Sequence, residues 1–94
     1  MGKYMLPNNI GSNFTGFGSL IHLYYEIIED DSNFIELSFE NTTWFEANLA
    51  AVLGAIIELL NRRGKSVELS QIPPRIEDVL RRNGFLISIK ERFL

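Results

Sequence analysis

The chain has 94 residues, of which 46% are hydrophobic and 22% charged, with a formal net charge of −3. That size fits one small domain, residues 1–94, and the balance is that of a folded globular protein rather than a disordered tail. Cysteine is absent and there is one histidine, which excludes disulfides and thiol catalysis and argues against a zinc site; no spaced set of carboxylates suggests another metal. No apolar run approaches the roughly 18 residues of a membrane span, and MGKYMLPNN lacks the apolar core of a signal peptide, so a cytoplasmic location without a membrane partner is expected.

Residues 1–18 hold Pro7, Asn8, Asn9 and the glycines Gly2, Gly11, Gly16 and Gly18, which reads as a short strand around Tyr4–Leu6 followed by an irregular loop. From Ser19, placed as an N-cap, the residues Leu20, Ile21, Leu23, Tyr24, Ile27 and Ile28 recur at helical offsets up to a stop at 29–33. The β-branched and aromatic content of LIHLYYEII also suits a buried strand. Phe34, Ile35, Leu37 and Phe39 form a short run between turn formers and predict a central strand.

Asn41, Thr42 and Thr43 supply side-chain oxygens ahead of a helix predicted over 46–63. Its apolar stripe is Leu49, Val52, Leu53, Ile56, Leu59 and Leu60, with Gly64 as C′. Ala47, Ala50, Ala51, Gly54 and Ala55 would let this helix approach a sheet closely, making Gly54 a contact point. Ser66-Val67-Glu68-Leu69 alternates as a strand. Pro73-Pro74 then opens a helix, with Pro74 near N1, whose apolar face is Ile76, Val79 and Leu80 and whose end is Asn83-Gly84. Phe85–Ile89 is the last predicted strand. The fold class is α/β, a central sheet of about four strands covered by about three helices. The sticky end KERFL suggests a chain that continues into another domain, although a dimer contact would account for it as well.

Charge is lopsided. Up to Leu60 the sole base is Lys3, whereas beyond it Arg and Lys outnumber the acids. One explanation is a polarised surface for a protein partner; the simpler one is that Arg62-Arg63 and Arg81-Arg82 complement helix dipoles. A nucleic-acid partner is not expected, because the pI is about 5.0 and no aromatics interleave with the Arg pairs.

The stretch FIELSFENTTWFEANLAAVLGAIIELLNRRGKSVELSQIPPRIEDVLRRNGFL, about residues 34–86, resembles the STAS domain of the anti-sigma factor antagonists. The likeness lies in the order and spacing of elements and in the cadence "rRG..V.L...P..i...L...G". The resemblance implies a small STAS-like fold. In that family an Asp-Ser-Ser-Gly pattern opens the helix corresponding to 46–63, and a partner anti-sigma kinase phosphorylates the first serine. Here the matching positions read Glu46, Ala47, Asn48 and Leu49. The acid survives as Glu46, but Ala47 has no hydroxyl, so the usual phosphoacceptor is missing.

The resemblance therefore implies a non-enzymatic, bacterial-type signalling module that regulates by protein–protein interaction and has no cofactor. Its partner-binding residues would be Thr43, Trp44, Glu46 and Asn48, and its partner an ATPase or kinase-type regulatory domain in cis or trans. Glu46 also has a plain reading as a first-turn acid, and Asn48 as a polar helix-edge residue. Trp44-Phe45 is either an exposed anchor or a lid on the core, and Thr42 and Thr43 either alternative phosphoacceptors or capping and turn residues. A structural dimerisation domain, pairing through 85–89, Phe93 and Leu94, is the first alternative. A small nucleotide-binding domain is the second, although Gly16-x-Gly18 lacks the third glycine and preceding strand of a dinucleotide fingerprint. His22 shows no partner at a catalytic spacing and reads as a structural residue.

Overall fold

The computed structural model describes residues 2–11 and 14–82. Three strands, β1 (Gly2–Met5), β3 (Phe34–Ser38) and β5 (Ser66–Ser70), form a parallel sheet in the order β1-β3-β5. Two-residue strands β2 (Asn9–Ile10) and β4 (Trp44–Phe45) form a separate parallel pair. Helices α1 (Phe14–Ile28), α2 (Asn48–Arg62) and α3 (Pro74–Arg82) complete an α/β domain. Among the described residues the main sheet has three strands, matching three of the four expected; the fourth, at 85–89, and the Asn83-Gly84 stop lie outside the described residues.

Side-chain alternation gives the main sheet two unlike faces. Gly2, Ile35 and Val67 share one register row and Tyr4, Leu37 and Leu69 another, and all but Tyr4 are buried. The rows between carry Lys3, Glu36 and Glu68, then Met5, Ser38 and Ser70. Each parallel step moves one strand in the same direction, so right-handed crossovers place α1 and α2 on the same face. The two helices pack against each other there, over a core that includes Leu20, Ile27, Leu37, Leu53 and Leu60.

Residues 19–29 lie in a helix, not a strand, up to Ile28, and that helix begins at Phe14 rather than at Ser19. Ser19 is therefore no N-cap. Its Oγ donates to the Thr15 carbonyl one turn back at 2.9 Å, a bond made inside the helix. Gly16 and Gly18 belong to α1 instead of a loop, and Gly16 is there because the helix passes close to another backbone: a Cβ on it would stand 1.9 Å from the Gly11 carbonyl oxygen.

α2 spans 48–62 against the expected 46–63 and ends as its sequence indicates. Gly64 takes φ +85°; its amide donates to the Asn61 carbonyl, and the Lys65 amide to that of Leu60, both at 3.0 Å. That is a Schellman closure, with glycine in the left-handed position. The rotation of the helix differs from expectation, because its buried side is Leu49, Ala50, Leu53, Ile56, Ile57 and Leu60. Leu59 points to solvent at 44% exposure. Ala47, Ala51 and Ala55 are exposed as well, and Gly54 is only half-buried. Ala50 is thus the one small residue of this helix packed into the core.

α3 starts at Pro74 and buries Ile76 and Leu80, packing against β4. Its last-turn bases pair with acids one turn earlier, Arg81 with Glu77 at 2.8 Å and Arg82 with Asp78 at 2.9 Å. Arg62 does the same with Glu58 at 2.8 Å. The bases thus stand at the helix ends, where they complement the dipole, and also form i, i+4 ion pairs that the sequence reading did not include.

Candidate interaction surface

Beyond β3 the chain is tied into the β1–β2 loop. Phe39 is fully buried, and the Thr42 amide donates back to its carbonyl at 2.9 Å. Thr42 is only 2% exposed, and its Oγ1 donates to the Pro7 carbonyl at 2.8 Å. A hydroxyl so enclosed is no phosphoacceptor surface. Thr43 sits outside. Its amide donates to the Asn8 carbonyl at 2.8 Å, and its Oγ1 lies 3.2 Å from Asn8 Oδ1. Asn8 Nδ2 in turn donates to the Asn41 carbonyl at 3.1 Å. Thr42 and Thr43 therefore latch two loops together instead of capping α2.

The β2–β4 pairing decides which aromatic is inside. Asn9 is in register with Trp44 and Ile10 with Phe45. Ile10 and Phe45 go to the core, and Phe45 tilts against Phe39 at a ring separation of 6.2 Å. Trp44 faces outward at 44% exposure. The pair is therefore split, Trp44 exposed and Phe45 packed on the core.

The indole Nε1 of Trp44 donates to Glu46 Oε1 at 3.2 Å, and the Glu46 amide donates to the Ile10 carbonyl at 2.8 Å. Glu46 stands ahead of α2 and not within it, since the first turn of the helix contains no acid. Its carboxylate is turned to the indole. Glu46 is therefore not a first-turn acid of α2. Ala47 is already helical at φ −56°, ψ −35°, and no side chain caps the helix start. Asn48 opens the helix with its side chain exposed.

Thr43, Trp44, Glu46 and Asn48 thus follow one another along the segment through β4 into α2, a rim on which Glu46 is half-buried, the other three are exposed, and Trp44 and Glu46 are joined. The structure adds Asn8 and Asn9, which sequence reasoning treated only as loop formers. A flexible-looking Pro-Asn-Asn run gives no sign that its backbone will carry a strand pair. His22 is separate from this rim: it is exposed, and its Nε2 lies 3.3 Å from Glu26 Oε1. That i, i+4 partner was present in the sequence and was missed. Gly16 and Gly18, lying inside α1, form no phosphate-cradling loop.

Among the described residues no three His, Asp or Glu side chains gather as a metal site, and no helix is long and apolar enough to cross a membrane. Comparison with protein-family models, with curated proteins and with solved structures returned no match.

Proposed function

We propose that this chain is a regulatory protein-interaction domain of the STAS, anti-sigma factor antagonist type, acting without enzymatic chemistry. The rim formed by Thr43, Trp44, Glu46 and Asn48 binds a protein partner, an ATPase or kinase-type regulatory domain in cis or trans. It is not switched by phosphorylation at the usual position, because Ala47 has no hydroxyl. The observation that carries this reading is Trp44: a large aromatic kept outside while its neighbour Phe45 is buried, its indole N–H held by Glu46. Rigid, exposed aromatics of this kind are the usual anchors of protein interfaces.

The test is calorimetric titration of the chain with kinase-type ATPase domains, for wild type and for Trp44→Ala, Glu46→Gln and Asn48→Ala. A partner bound by the wild type and lost or weakened about tenfold or more with Trp44→Ala supports the reading. Unchanged affinity in all three variants overturns it.

Homodimerisation is the second reading, favoured by Phe34, which is 64% exposed on the polar face of the main sheet. Light scattering decides it: a monomer at high concentration removes it, and a dimer broken by Phe34→Ser supports it.

A further inference from the structure

We propose that the outer edge of β1, which no strand among the described residues pairs, binds with the groove beside it an extended basic peptide strand of a partner protein. This site is separate from the Trp44 rim and does not rest on that reading.

Among the described residues β1 is terminal in the sheet order. The Leu6 amide donates to the Ser38 carbonyl at 2.9 Å, so it faces β3. Alternation along a strand then turns the amide and carbonyl groups of Lys3 and Met5 to the open side. An incoming strand finds there the backbone donors and acceptors that strand addition requires.

At the carboxyl end of this edge lies a groove of about 220 Å³, lined by Met5, Pro7, Ser19, His22, Leu23 and Glu26. Its floor is apolar, with Leu23 buried and Met5 41% exposed. Its wall is one side of α1, where Ser19, His22 and Glu26 stand on successive turns and the Glu26 carboxylate is 51% exposed beside His22.

A long cationic side chain matches both parts. Its methylene stem covers Met5 and Leu23, and its charged head reaches Glu26, the division of labour that lets Lys and Arg bury their stems. Glu29 and Asp31 are exposed at the C-terminal end of α1 and add negative potential along the path. Lys3, the one base on β1, stands at the far end of the strand from Pro7. The groove therefore selects an extended segment with a Lys or Arg opposite Glu26 and β-branched neighbours that favour strand geometry.

The experiment is phage selection of short random-sequence peptides on the full chain, with enriched peptides then titrated by fluorescence anisotropy. Enriched peptides are expected to carry Lys or Arg among alternating β-branched residues. Met5→Pro removes an outward amide at an edge position and should weaken them about tenfold, the loss of one backbone hydrogen bond. Glu26→Gln, a surface change that leaves the fold intact, should weaken them about threefold and remove the preference for basic residues. Trp44→Ala should leave their affinity unchanged, which separates this site from the rim. Absence of any enriched binder, or equal binding to wild type and Glu26→Gln, overturns the proposal.

Discussion

Lys65 and Ser32, far apart in sequence, are joined by a hydrogen bond from the lysine Nζ to the serine carbonyl at 2.8 Å, and the same ammonium also donates to the Asp30 carbonyl. Lys65 is 7% exposed. Its charge is accommodated because it satisfies two carbonyls just beyond the end of α1, where the helix dipole also favours a cation. Lys65→Met keeps the stem and removes the donors. Charged hydrogen bonds of this kind are worth about 2 kcal/mol each, so with both removed the variant should lose about 2 to 4 kcal/mol of stability in urea denaturation. A loss below about 0.5 kcal/mol would show that the contact adds little.

Tyr4 and Asp30 form the neighbouring link, with the tyrosine hydroxyl donating to Asp30 Oδ2 at 2.6 Å. The bond to Asp30, followed by burial, pushes the Tyr4 pKa up to about 12. Tyr4 thus stabilises the fold fully below about pH 10, where an unfolded tyrosine keeps its proton, and that stabilisation is lost as the pH rises towards 12. Asp30 runs the other way. The Tyr4 hydroxyl, and next the Ser32 amide, hold its carboxyl below the ordinary carboxylate range, so its contribution is present above about pH 4 and lost as the pH falls further. Tyr4→Phe should flatten the decline of stability in both windows. Parallel pH–stability curves for wild type and variant would disprove the linkage.

Much of this fold is readable from residues whose meaning is local. Phe34–Ser38 and Ser66–Ser70 are bracketed by turn formers, and Gly64 sits where a helix end needs a left-handed residue. What stayed hidden depends on distant contacts. Gly16 and Gly18 argue against a helix by about 1 kcal/mol each relative to Ala, and only the approach of Gly11 explains the first of them. In the run IIELL, apolar residues surround the helix, so sequence alone leaves open whether Ile57 or Leu59 turns inward. The candidate rim was legible as a stretch but not in its workings. Which of Trp44 and Phe45 is exposed follows from the register of a two-residue strand pair, an element too short to leave a periodic signal.

The two helical glycines should respond oppositely to alanine. At Gly16 the added Cβ would meet Gly11 backbone at 1.9 Å, a clash that no side-chain adjustment relieves. Overpacking of that kind should cost about 2 to 3 kcal/mol. At Gly18 a Cβ meets nothing within 4 Å, so alanine should raise stability by about 0.5 to 1 kcal/mol through helix propensity. Thermal melts of both single variants check the pair. Equal effects of the two would contradict the close approach of α1 to Gly11.

Thr42 offers a way to loosen the interaction rim without touching its exposed residues. Thr42→Val keeps the shape but removes the hydroxyl that donates to the Pro7 carbonyl at 2.8 Å, leaving a part-buried acceptor without that bond. The expected cost is about 1 to 3 kcal/mol in denaturant melts. Because the same latch carries the Thr43–Asn8 contacts and the β2–β4 pair, amide hydrogen exchange at Thr43, Trp44 and Glu46 should quicken more than at the central strand residues Ile35 and Leu37. Uniform acceleration along the chain would show instead that Thr42 supports only global stability and that the rim has no local unit of its own.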